Sequence, residues 1–194
     1  MIESRRRGGT QPDPLSLDDL IDAALELTER NGLDALTVKA VADELGITSP
    51  AVYHYVDGKR ELIERLCERV TRRVDLTVDN DGDWQDNVVA LVTRLDAAFA
   101  RYPGVAARAL STVGPAPGSL RINEAILLQL TRAGFARADA IEMVAALHFL
   151  FSGWLLGRSP AVDEHGMRAE PLAAEVLQRT ARRLLQGYAG ALLH

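Results

Sequence analysis

Between Thr48 and Val56 the chain reads TSPAVYHYV, nine residues without a single carboxylate. A stretch of that kind suits a polyanion, since flanking phosphates would repel any acid placed beside them. Tyr53 and Tyr55 carry hydroxyls that can reach phosphate or sugar. Ser49, His54 and the small surface of Pro50 and Ala51 can approach base edges in a groove. Lys59 follows at a helix start, where its ammonium and the free backbone N–H groups together would bind a phosphate. Thr37 opens the preceding helix and offers the same free amides. Arg5, Arg6 and Arg7 either trail into a minor groove or remain a solvated tail.

Other chemistry finds less support. His54, His148, His165 and His194 are scattered along the chain, and no glycine-rich phosphate loop is present. The segment GPAPG at 114–118 is too rich in proline to be one. Asp163, Glu164 and His165 adjoin on an expected loop without helical ligand spacing, so neither a metal nor a cofactor is expected.

The elements around the acid-free stretch follow from local signals. Ser16 can cap a helix with apolar positions Leu17, Leu20, Ile21, Ala24 and Leu27, which Gly32 ends. Thr37 caps the next helix, with Val38, Val41, Ala42 and Leu45 on one face. Gly46 turns the chain, and Thr48 or Ser49 caps a third helix with Pro50 in its first turn. That helix runs for barely two turns until Asp57-Gly58 breaks it. A fourth starts near Lys59, with Leu62, Ile63, Leu66, Cys67, Val70 and Val74 forming its apolar stripe. Two short helices around a glycine turn make a helix-turn-helix reader of DNA.

The residues LGITSPAVYHYVDGKREL resemble the head of the tetracycline-repressor family of transcriptional regulators. Leu45, Gly46, Ile47, Tyr53, Lys59 and Leu62 match its pattern. Thr48 and Val52 replace a serine and a leucine. Tyr55 and Val56 stand where the family usually has histidine and phenylalanine, and His54 lies one place early. The resemblance covers Ser16 to Val74 closely and implies that Lys39 reaches the major groove. It also implies a small-molecule effector in the second half of the chain and a dimer built from its last two long helices. Tyr55, three residues after the inward Val52, either contacts phosphate or packs in the core.

The polar run Thr77–Asp83 sets the boundary between the two parts. The expected organisation is a mobile arm over 1–15, a DNA-binding head over 16–76 and a helical body over 84–194. The fold class is all-α, with a linking helix joining head to body. Body helices are expected over 84–101, 105–112, 120–133, 138–157 and 172–192. From Met143 to Leu156 the sequence is apolar on all sides, so something must cover it. A homodimer through the helices near 138–157 and 172–192 would do so. His148 and Ser152 share one face of that helix. They line an apolar ligand cavity with Trp84, Phe99, Phe151 and Trp154, or they make a core or interface hydrogen bond. Ala173, Val176, Leu177, Thr180, Leu184 and Tyr188 lie on the stripe of the final helix.

Composition bounds this reading. The 194 residues are 47% hydrophobic and 25% charged, which is the balance of a folded soluble chain. The apolar run is shorter than a membrane span, the N-terminal arginines precede no apolar stretch, and the lone Cys67 fits a reducing cytoplasm. A net charge of -5 means that DNA affinity must come from a local face. The expected function is a ligand-responsive dimeric repressor released from a palindromic double-stranded operator by a small molecule. A ligand carrier or interaction module without DNA binding is the alternative, and a small helical enzyme the third.

Overall fold

The computed structural model describes residues 15–110, 117–158 and 173–192, and every regular element among them is helical. Helix α1, Leu17–Asn31, starts at a capping box: the Ser16 hydroxyl accepts the Asp19 amide (3.1 Å), while the Asp19 carboxylate accepts the Ser16 amide (2.9 Å). Gly32 ends it at a φ of 77°, although its ψ of 163° is extended and not left-handed helical. A 3₁₀ turn at Leu33–Ala35 leads to α2, Val38–Glu44, whose Thr37 cap accepts the Ala40 amide at 3.0 Å.

Helix α3 is a single turn, Ser49–Val52, shorter than the two turns expected. The chain from Tyr53 onward tightens, with His54 and Tyr55 donating to the carbonyls of Ala51 (3.2 Å) and Val52 (2.9 Å) three residues back. This tightening brings both Val52 and Val56 into the core. Thr48 is the cap residue, but its side chain makes no capping hydrogen bond.

Helix α4, Lys59–Arg72, buries Leu62, Ile63, Leu66 and Val70. It packs on α1 and, beyond it, on α5 (Trp84–Ala100), α6 (Val105–Leu110) and α7 (Pro117–Arg132). Asp83 caps α5 by accepting two amides, from Gln85 (2.8 Å) and Asp86 (3.1 Å). Helix α7 starts at Pro117, earlier than the expected Leu120, because proline suits a first helical position. Helices α8, Arg137–Arg158, and α9, Ala174–Leu192, complete the body, with α5 packing on α9 and α8 lying between α7 and α9.

Polar ties gather at the C-terminal end of α4. Arg69 pairs with Asp18 and with Asp22 (3.1 Å), and Arg73 pairs with Asp22 (2.7 Å), joining α4 to α1. Arg121 of α7 donates to the Arg72 carbonyl at 3.0 Å, and Arg94 of α5 donates to the carbonyls of Asp75 (3.1 Å) and Thr77. Head and body also meet where the Leu33 amide donates to the Pro103 carbonyl at 2.9 Å. Gly104 permits this approach: at its φ of 89° a Cβ would lie 2.9 Å from that of Leu33.

One sequence expectation changes in α8. The helix from Arg137 to Gly157 has 21 residues and a hydropathy of 1.5, so its length and composition reach those of a membrane crossing. The apolar run Met143–Leu156 is shorter by itself, and the helical turn before it supplies the difference. Its inner face buries Met143, Leu147, Phe151, Trp154 and Leu155, whereas Ile141, Phe149 and Leu156 are 50%, 75% and 63% exposed.

Cys67 packs partly against the core of α4. Burial pushes its thiol from the ordinary 9.0 up to about 11, and the positive charge of Arg108 only partly opposes this. Burial disfavours the thiolate, so at pH 8 the native fraction ionised is about a hundredfold below that of the unfolded chain. Reaction with an aromatic disulfide at pH 8 is expected to accelerate about a hundredfold on unfolding in urea. Equal rates in the two states would contradict this burial.

Candidate nucleic-acid interface

Two positive-φ glycines fold the ends of the interface. Gly46, at 65°, turns α2 toward α3, and Gly58, at 103°, starts α4. Between them Val52 and Val56 point into the core, which leaves Tyr53 and His54 to face outward. Tyr53 is 56% exposed, and Thr48, Pro50 and His54 are exposed beside it. Ser49 and Ala51 are half-buried on the same turn. The Tyr53 ring lies over Gly58, where a Cβ would sit 3.9 Å from the ring.

Lys59 is exposed at the first position of α4 and makes no ion pair among the described residues. Thr37 and Lys39 are exposed at the start of α2. The Lys39 ammonium pairs with Asp43 at 2.5 Å, so a phosphate there must compete with that carboxylate. Such an exposed pair contributes little, and salt screens it.

Glu61 is the contributor that the acid-free pattern did not reveal. Its carboxylate accepts the Asp57 amide at 2.6 Å and pairs with Arg65 at 2.9 Å. The Asp57 amide first, and Arg65 second, hold it below the usual carboxylate range. The acid nearest the α4 start is thereby committed to closing the turn. A glutamate at the third helical position after Asp57-Gly58 is the signal that could have found it.

Tyr55 takes the core alternative. It is half-buried, and its hydroxyl donates to the Leu15 carbonyl at 2.7 Å. That proton is therefore used inside the chain, where it ties the entry to α1 onto the end of the α3 turn.

The six residues grouped as a ligand site do not share one cavity. Phe99, Phe151 and Trp154 come together in the core, with the two phenylalanine rings 6.2 Å apart and the Trp154 indole donating to the buried Asp96 carboxylate at 2.7 Å. Trp84 lies elsewhere and meets Phe135 edge to face at 5.0 Å. His148 is exposed and Ser152 half-buried on the outward face of α8. The helices rotate these residues to different sides, which spacing along one helix could not foretell. Arg5, Arg6, Arg7, Asp163, Glu164 and His165 lie outside the described residues.

The model for bacterial regulatory proteins of the tetR family matches residues 20–66, and that for the tetracyclin repressor-like C-terminal domain matches residues 77–186. An HTH-type transcriptional regulator of Saccharopolyspora erythraea is 29% identical over 161 residues. That match covers 80% of this chain and 66% of the relative, so the chain spans just under two thirds of its length. The tetracycline repressor protein class D of Escherichia coli is 31% identical over 175 residues, covering 84% of this chain and 79% of that protein. The crystal structure of a possible TetR family transcriptional regulator from Streptomyces coelicolor A3(2) has the same fold. Its TM-score is 0.74 at 23% identity, covering 91% of this chain and 100% of that one.

The two tyrosines are separable by experiment. Tyr55→Phe is expected to lower stability by about 1 kcal/mol, the net value of one hydrogen bond, whereas Tyr53→Phe should leave it unchanged. Urea unfolding of the two variants against the parent measures the difference. Equal stabilities would mean that the Leu15 contact contributes nothing.

Proposed function

The chain belongs to the tetR family of bacterial regulatory proteins, and we propose that it is a dimeric, ligand-responsive repressor of transcription acting in the cytoplasm and without enzymatic activity. The observation that carries this reading is the exposed, acid-free turn of α3, held in place by the buried Val52 and Val56 and followed by the unpaired Lys59. A local basic and hydroxyl-bearing face of this kind can bind DNA despite the net charge of -5.

In this reading residues 16–76 form the DNA-reading head and 84–194 the body. Thr37 and Lys59, each at a helix start, hold phosphates on either side of the groove, and Tyr53 adds a hydroxyl contact. Thr48, Ser49, Pro50, Ala51 and His54 face base edges, and Lys39 joins them by exchanging Asp43 for DNA. Tyr55 positions this turn through Leu15 and does not touch DNA itself.

The dimer forms through α8 and α9. The outward apolar face of α8 needs a cover, and a second copy supplies it. At Gly153 on that face, and at Gly187 and Gly190 on α9, a Cβ would meet nothing within 4 Å beyond its own stretch of helix among the described residues. Glycine inside a helix costs stability, so its presence on an outward face suits close approach of a partner backbone. A palindromic operator then presents its half-sites about 34–36 Å apart. A ligand in the body releases it by favouring a dimer geometry that no longer spans this distance. Effective release requires a difference in affinity for the two geometries of a few kcal/mol. Helix α4 transmits the change, because it packs on α1 and on α5, α6 and α7.

Selection from random DNA is expected to enrich a palindrome, and Lys59→Ala should weaken binding to every sequence while reducing the salt slope by about one. Failure to enrich any sequence would favour the ligand carrier or interaction module. Gly153→Leu is expected to turn a dimer into a monomer in sedimentation at micromolar concentration. A monomeric parent protein would overturn the interface.

A further inference from the structure

Where α5 begins, α7 gives way to α8, and α9 nears its end, the body is indented by a groove of about 500 Å³. Trp84, Phe135, Asp139 and Ala189 line it, with Gln85 and the Ala133–Ala136 turn at its edge. Its volume falls within the range of small-molecule sites. Trp84 and Phe135 meet at an interplanar angle of 72°, so their ring faces point in different directions around the space.

Asp139 supplies the charge. It is half-buried at the third position of α8, where a carboxylate commonly turns back to a cap amide. It makes neither that bond nor any other hydrogen bond or ion pair among the described residues. Nearby cations do not neutralise it. Arg182 is held by Asp86, and the exposed Arg137 makes no ion pair with it. A half-buried carboxylate beside two aromatic rings disfavours an anion and offers a neutral molecule no compensating charge. An alkylammonium group satisfies both features, since its charge meets the carboxylate and its polarised methyl groups meet the ring faces.

We propose that this groove is a binding site for a small organic cation of the quaternary or tertiary ammonium class, held by Asp139, Trp84 and Phe135. The site is separate from the α3 interface, and its occupation does not depend on whether the head reads DNA. The small Ala189 leaves the space open on the α9 side.

Trp84 reports on the groove directly, because Trp154, the other tryptophan, is buried in the core. The test titrates the full chain with choline and with its neutral isostere 3,3-dimethylbutan-1-ol at constant ionic strength, reading tryptophan emission. Saturable quenching by choline is expected, with the alcohol about tenfold weaker or worse. Asp139→Asn is expected to weaken choline about tenfold and leave the alcohol unchanged. Ala189→Leu, which fills the groove, is expected to abolish the response to both. Absence of saturable quenching in the parent, equal affinities for the two probes, or unchanged choline binding in Asp139→Asn would each overturn the proposal. These readouts need no DNA, so their failure leaves the regulatory reading untouched, and failure of that reading leaves them intact.

Discussion

The structure depends on one helix being buried from two directions. Helix α4 places Leu62, Ile63, Leu66 and Val70 in a single stripe, and that stripe meets α1 on the head side and α5, α6 and α7 on the body side. Close-packed side chains transmit displacement because they have few voids into which to relax. The ion pairs of Asp18 and Asp22 with Arg69 and Arg73 sit at the head contact, while Arg121 grips the last carbonyl of the helix and Arg94 the backbone just beyond it. These surface ties are individually weak, so the apolar stripe supplies the rigidity and the charges set its rotation. The packing of α4 thus connects the body to α1, and through it to the exposed turn of α3.

That turn is itself a product of burial. Only four residues of α3 are helical, too few to be stable alone. Val52 and Val56 insert into the core that also holds Leu20, Ile21 and Val41, and Tyr53 and His54 between them are turned outward as a consequence. The surface chemistry of Tyr53 and His54 is thus presented by the buried neighbours, with Glu61 closing the loop from below. Tyr55 contributes in the opposite sense. It is drawn inward by the Leu15 carbonyl and fixes how α1 enters the head.

The body combines two kinds of unsatisfied surface. The outward side of α8 exposes Ile141, Phe149 and Leu156, an apolar surface of the kind that a partner covers. The groove at Trp84 and Phe135 pairs apolar rings with the Asp139 carboxylate, which has no partner among the described residues and suits a small cation. Buried polar groups in between are matched instead. Asn87 bridges Gln129 at 3.1 Å and the Asp79 carbonyl at 2.7 Å, and the Trp154 indole donates to Asp96. The middle of the bundle is held by satisfied polar contacts and packing, and the opportunities for binding lie at its edges.

What the sequence determined by itself is the part governed by interactions within one helical turn. The caps at Ser16 and Thr37, the turns at Gly46 and Gly58, the apolar stripe of α4 and the absence of acid from Thr48 to Val56 are all local, and each holds in the fold. Tertiary structure alone decided how side chains from different helices converge. It sent the Tyr55 hydroxyl to Leu15, forty positions away, and set Trp84 against Phe135 apart from the cluster of Phe99, Phe151 and Trp154. It also turned His148 outward on a helix whose sequence is apolar on every side. Periodicity reports which residues share a face. It does not report which neighbour that face will meet, because the rotation and offset of packed helices come from the summed fit of all their side chains.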